Sequence, residues 1–203
     1  MNSKIKLLAI SGSQREHGNC YLLAKTILDS VKVDYEIIQL AEKEIKFCNL
    51  CGKCINNGCI LKDDFNQILK EMKKADGIIF VIPRYVFFSS KFLCFLERLD
   101  IIGHFRRHRG YKITFTNPDY RLFSEKPSCI LAISGEGKIE KETLKITADY
   151  IKGLGVKLIL HDLPPYLGVS IKGGADKGEV LKNKKGIKES KKLIEKLINS
   201  IKK

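Results

Sequence analysis

Short, unbroken apolar runs recur along this chain, separated by stretches in which apolar residues return at helical spacing. Ile5-Lys6-Leu7-Leu8-Ala9-Ile10, Tyr35 to Leu40, Gly77-Ile78-Ile79-Phe80-Val81-Ile82, Ser128 to Ser134 and Val156 to Leu160 have the length and character of buried strands. Helices are predicted between them over about Tyr21 to Val31, Asp63 or Asp64 to Ala75, Lys91 to Ile101 and Glu140 to Leu154. A last helix over Gly186 to Ile201 has Leu193, Ile194, Leu197, Ile198 and Ile201 as its inward stripe. From Gly103 to Lys126 the periodicity fails. That basic, aromatic stretch reads as a lid, a binding loop or a subunit contact. Pro164-Pro165 and Gly173-Gly174 read as a linker.

Alternating strands and helices predict an α/β fold, a doubly wound five-stranded parallel sheet in the flavodoxin-like order 2-1-3-4-5. The chain then forms a single domain over residues 1–203, with a cysteine-rich insert at 46–62 after strand 2 and a C-terminal helix at 186–201. Ligands of such sheets bind beyond the strand C-termini, at the switch point between strands 1 and 3. The loops expected there are 11–20, 83–90 and 135–137.

The first of these, Ser11-Gly12-Ser13-Gln14-Arg15-Glu16-His17-Gly18-Asn19-Cys20, runs from a strand into a helix start. Loop amides, serine hydroxyls, the helix dipole and Arg15 together make a phosphate cradle. It is neither a Gly-x-Gly-x-x-Gly fingerprint nor a P-loop. The plainer reading is a turn with Asn19 as N-cap. In the second loop, Tyr85, Phe87 and Phe88 beside Pro83 read either as a wall for a flat ligand or as ordinary core. Gly135-Glu136-Gly137 allows close approach. The three loops together fit FMN.

Four of the seven cysteines, Cys48, Cys51, Cys54 and Cys59, fall within one dozen residues, spaced Cys-x2-Cys-x2-Cys-x4-Cys. Thiolates so close can each take one corner of a 4Fe–4S cluster. The Asn56-Asn57-Gly58 turn supplies the positive φ needed to bring Cys59 round. Ile60 follows where a two-cluster ferredoxin run has a proline, so one cluster is expected. Competing readings are a structural zinc, which normally uses two separated knuckles, and a disulfide pair, which needs an oxidising compartment. Cys20, Cys94 and Cys129 read as buried free thiols.

The net charge is +14. Residues 172–203 hold eleven lysines against four acids, and 103–126 hold six Lys or Arg against two acids. No helix-turn-helix, zinc-finger or RNP signature accompanies this charge, so a solvated face, an acidic redox partner or an anionic cofactor is preferred over nucleic acid. No run approaches a membrane span, and Lys4 to Ile10 reads as a strand and not a signal peptide. A reducing, cytoplasmic setting is the expectation. His104 and His108 have metal-site spacing, but the arginines around them make them surface residues.

Ser-Gly-Ser-x-Arg-x-x-Gly-Asn, the Pro-x-Tyr with Ser89-Ser90, and Glu97-Arg98 resemble the NADPH-dependent FMN reductase superfamily. The four-cysteine insert followed by Asp63-Asp64 narrows the resemblance to its iron–sulfur flavoproteins. The resemblance implies FMN and one 4Fe–4S cluster per subunit of a homodimer or homotetramer, with the cluster near a neighbour's flavin. It implies that Ser11, Ser13, Arg15, Gly18 and Asn19 hold the phosphate. Pro83, Arg84, Tyr85 and Phe87 would line the isoalloxazine, with Ser134 and Gly135 opposite. Cys20 stands where a Ser or Thr usually caps the phosphate, and Arg84 replaces an apolar residue. The expected role is electron transfer from a ferredoxin-like donor through the cluster to FMN, and on to oxygen, peroxide or a quinone-like molecule. No side chain is required as acid or base, so none is assigned as catalytic. Rival expectations are an NAD(P)H-driven flavin, quinone or azo reductase with a structural metal, and a cluster-based sensor that binds nucleic acid.

Overall fold

A computed structural model describes residues 4–85, 88–109, 121–135 and 140–202. Its strands and helices alternate in chain order. They are β1 (Lys6–Ser11), α1 (Asn19–Leu28), β2 (Asp34–Gln39), α2 (Cys54–Asn57), α3 (Phe65–Lys74), β3 (Gly77–Pro83) and α4 (Ser90–His108). After these come β4 (Lys126–Ser134), α5 (Glu140–Gly153), β5 (Val156–Leu158), β6 (Val169–Lys172) and α6 (Lys184–Ile201). The sheet runs β2-β1-β3-β4-β5, parallel throughout, which is the expected order. No described helix is long and apolar enough to cross a membrane.

Strands apolar on both faces need cover on both, and the helices divide accordingly. Leu7 and Ala9 of β1 pack with Leu23 and Ile27 of α1 and Leu193 and Leu197 of α6. Leu8 and Ile10 face the other way, into a core with Phe65 and Met72 of α3, Phe95 and Leu99 of α4, and Leu144 and Ile151 of α5. Every residue of β3 is buried, as the central strand requires.

Two stretches differ from the sequence expectation. The segment read as a linker contains β6, which pairs Leu131 to Ser134 of β4, while β5 pairs Lys126 to Ser128. The fifth sheet position is thus shared by two short strands with residues 159–168 bulging between them. Four residues between proline and glycine pairs are too few to show a period. The stretch from Gly103 begins as helix and not as loop, since α4 continues to His108, whereas residues 121–125 have no regular structure. Its buried positions make no purely apolar stripe, because Arg98 and Arg106 are buried on the helix that gives Phe92, Phe95, Leu99 and Phe105 to one core. His104 and His108 are exposed, as expected. Residues 110–120 lie outside the described residues.

Helix α4 starts at the sheet's binding edge. Ser89 is its N-cap: the Oγ accepts from Phe92 N at 3.2 Å and donates to the Gly12 carbonyl. A Cβ on Gly12 would stand 2.9 Å from the Phe92 ring, so glycine is what lets α4 press against the first loop. Ser89→Ala should therefore lower stability by about 1–2 kcal/mol, from the lost cap and the orphaned carbonyl, measurable by urea unfolding.

Candidate functional site

A cavity of about 240 Å³ opens where β1, β3 and β4 end. Ser13, Arg15, Asn19 and Cys20 line one end, Pro83, Arg84, Tyr85, Ser134 and Gly135 the other, and Gly174 and Ala175 close a side. Nine of the twelve residues expected to hold a flavin are on this wall. Ser11 is buried within β1, and Gly18 forms the N-cap of α1 without lining the cavity. Phe87 lies outside the described residues. The three aromatics separate: Tyr85 is 46% exposed at the cavity, whereas Phe88 belongs to the core.

The first loop is held by its own polar atoms. Ser13 Oγ accepts from Arg15 N at 3.0 Å, and His17 N donates to Gln39 Oε1 at 2.7 Å. Asn19 does not cap α1. Its amide donates to the Gly173 and Asp176 carbonyls at 2.9 and 3.0 Å, and its Oδ1 accepts from Gly178 N at 2.8 Å. Arg15 donates to the Ala175 carbonyl. The first-loop residues thus pin a second loop, 173–178, beside them. No sequence signal marked this loop, because glycines after a proline pair read as a linker. Burial pushes the Cys20 thiol far up, against a smaller opposing bond from the Ser13 backbone, so it stays neutral. A neutral thiol does not repel a phosphate, and the departure from Ser or Thr at this position leaves the cradle compatible with one.

The cysteine loop leaves β2 and has no sheet to rest on. Its backbone turns in the left-handed region at Leu50 (φ 53°), Gly52 (φ 70°) and Gly58 (φ 85°), one turn between each successive pair of cysteines. Leu50 tolerates that conformation at a cost, whereas glycine does so freely. Cys54 is buried, Cys48 and Cys59 are half-buried and Cys51 is exposed. Burial, and then negative charge on Cys59, Cys48 and Cys51, push the Cys54 thiol up, which marks the four as electrostatic neighbours. Among the described residues no three such side chains stand close enough to hold a metal ion. The donor set itself, four thiols on one short loop, is the chemistry that a 4Fe–4S cluster takes.

Helix α4 grips this loop. Lys91 Nζ donates to the Ala41 and Lys43 carbonyls at 2.8 and 2.9 Å, and Cys94 Sγ meets the Lys46 carbonyl at 3.3 Å. Arg106 Nε donates to the Ile55 carbonyl at 3.0 Å. Arg98 is the central clamp. Its side chain is 1% exposed, forms a two-pronged pair with the wholly buried Asp63, and donates to the Lys46 carbonyl at 3.1 Å. The guanidinium lies 4.1 Å from the Phe65 ring centroid. Burial alone would raise the Asp63 carboxyl. Arg98 and the amides of Lys46 and Phe65 outweigh it and hold the group below its ordinary 3.8.

Removing one partner of such a pair leaves a charge buried and uncompensated, so Asp63→Asn should cost about 3–5 kcal/mol at neutral pH. Because the folded carboxyl titrates lower than the unfolded one, this stability is complete above about pH 4. It is lost as pH falls through the folded value. Urea unfolding across pH should show that acid limb in the parent and not in the variant.

Comparison with known proteins agrees with this architecture. The model of the NADPH-dependent FMN reductase family matches residues 5–161. An iron–sulfur flavoprotein of Methanocaldococcus jannaschii is 42% identical over 85 residues, 40% of this chain and 44% of that protein. One from Archaeoglobus fulgidus is 39% identical over 84 residues, 40% of this chain and 41% of its own. The matches thus span under half the length of these curated relatives. Among solved structures, an NADH:FMN oxidoreductase aligns over 97% of this chain and 89% of its own with a TM-score of 0.63 at 15% identity. A flavodoxin from the domain Archaea aligns over 98% and 100%, with a TM-score of 0.54 at 15% identity, and these two likenesses concern the fold. With its sheet order, its loop and its match over residues 5–161, the chain belongs to the NADPH-dependent FMN reductase family.

Proposed function

We propose that this protein is an FMN-dependent oxidoreductase of the iron–sulfur flavoprotein kind. It would bind FMN in the cavity and one 4Fe–4S cluster on Cys48, Cys51, Cys54 and Cys59. The observation that carries this reading is the coincidence of two sites on one helix. The cavity loop is held at the start of α4 and the cysteine loop along its side. The names of the curated relatives support the pairing of the two cofactors.

When bound, the two groups supply one-electron and two-electron redox chemistry that no side chain here could perform. The chain's contribution is placement and charge. Ser13, Arg15 and Asn19, with Ser11 and Gly18 shaping the loop behind them, would hold the phosphate at the N-terminus of α1. Pro83, Tyr85, Ser134 and Gly135 would flank the ring, with Phe87 from the same loop. Arg84 would put a positive charge beside the ring, which favours its reduced, anionic form. The exposed lysines of α6 suit an acidic, ferredoxin-like donor by complementary charge, and a small oxidant or quinone-like molecule would accept the electrons. Phe47, Leu50 and Ile60 are 80, 62 and 50% exposed around the thiols. Apolar exposure of this kind suits a contact with a second subunit of a homodimer or homotetramer.

The family's description favours one second reading, direct reduction by NADPH with the cysteines holding only a structural metal. Anaerobic purification with iron, sulfide, zinc and flavin analysis separates the two. About four irons, four sulfides and one FMN per chain are expected, and Cys51→Ser should abolish the iron–sulfide content. Zinc in place of iron would establish the second reading, and a cluster without flavin would overturn the cavity assignment. Loss of one charged hydrogen bond in Arg15→Ala should weaken FMN binding by roughly ten- to a hundredfold in a fluorescence titration of the apoprotein.

A further inference from the structure

Helix α4 turns more positive charge toward the cysteine loop than holding that loop in place requires. Arg98 uses both terminal nitrogens on Asp63 and Lys46, yet its Nε–H is left over. Among the described residues it is the buried side-chain polar atom with no partner. A buried donor without an acceptor is costly, and natural proteins seldom leave one unused. The same guanidinium lies against the Cys59 thiol.

Further along, the Arg109 guanidinium sits over the Phe105 ring at 4.6 Å. Its Nη1 comes within 3.3 Å of where a Gly52 Cβ would be, between Cys51 and Cys54. Arg109 is the C-cap of α4, eleven residues beyond Arg98. One is buried and the other exposed. Two points of the loop, at Cys59 and beside Cys51, therefore each meet a guanidinium.

We infer that Arg98 and Arg109 form an electrostatic clamp that raises the reduction potential of a cluster held by Cys48, Cys51, Cys54 and Cys59. The inference rests on the cluster reading given above. Reduction by one electron adds one negative charge to an assembly that four thiolates already make anionic. A fixed positive charge, or an N–H donated to sulfur, stabilises the reduced form more than the oxidised one. Arg98 offers a donor from inside the protein, where salt does not reach. Arg109 offers charge from the solvent side, where salt screens it.

The test is a dithionite titration of the anaerobically purified holoprotein, followed by electron paramagnetic resonance at low and high salt. The parent is compared with Arg109→Gln, Arg109→Lys and Arg98→Lys, each first analysed for iron and sulfide. Arg109→Gln should keep its cluster and titrate at lower potential, with the difference shrinking as salt is added. Arg109→Lys, which keeps the charge, should stay near the parent. Arg98→Lys should also fall, by an amount that salt does not change, because Lys lacks the Nε–H. Parent-like potentials in Arg109→Gln and Arg98→Lys with intact clusters would overturn the clamp and leave the cluster reading standing. If Arg98→Lys does not fold, an unmoved potential in Arg109→Gln alone overturns it. Zinc, or no iron, in the parent would defeat the cluster reading itself and the clamp with it.

Discussion

A guanidinium enclosed among phenylalanines must be neutralised where it stands, and the cysteine loop depends on how that is met. Arg98 comes from the middle of α4, and Asp63 comes from the far end of the insert, just before α3. Their pairing draws the two ends of the insert together, because Arg98 also takes the Lys46 carbonyl at the near end. Asp63 fixes the same point from its side by accepting from Lys46 N at 2.8 Å. An excursion with little regular structure is thus closed at its neck by this ion pair and by the hydrogen bonds between Glu44 and Asp64 beside it. Between the neck and the tip, backbone turns and bonds to α4 do the rest.

The same helix begins at the other site. Ser89 and Phe92 press on Gly12 of the first loop, and Gln14 reaches Ser90. Nineteen helical residues span about 28 Å, so α4 acts as a rigid bar with the first loop at one end and the thiols along its side. The relative placement of the cavity and the cysteine loop is then a property of a helix and its packing.

Much of this was readable from the residues, for identifiable reasons. Unbroken apolar runs such as Gly77 to Ile82 admit little but a central strand, and five of them with helices between leave few topologies. The cysteine spacing and the Ser-Gly-Ser-x-Arg loop are local patterns, so they survive without knowledge of tertiary contacts. What escaped notice was set by tertiary contact. The end of α4 looked irregular because a helix that buries arginines has no purely apolar stripe. Strand β6 was too short to show a period and is stabilised by pairing with β4. Asn19 looked like a cap, since nothing nearby in sequence reveals that its partners lie beyond residue 172.

Those distant partners bear on how the protein is made. The first loop and α1 leave the ribosome after β1 and before β3 and β4. The bonds from Asn19 and Arg15 to residues 173–178 become available only after those residues have been made, beyond the stretch that the family model covers. Until then the first loop lacks the wall that residues 173–178 give it. Completion of that wall therefore waits on the long-range pairing of β6 with β4.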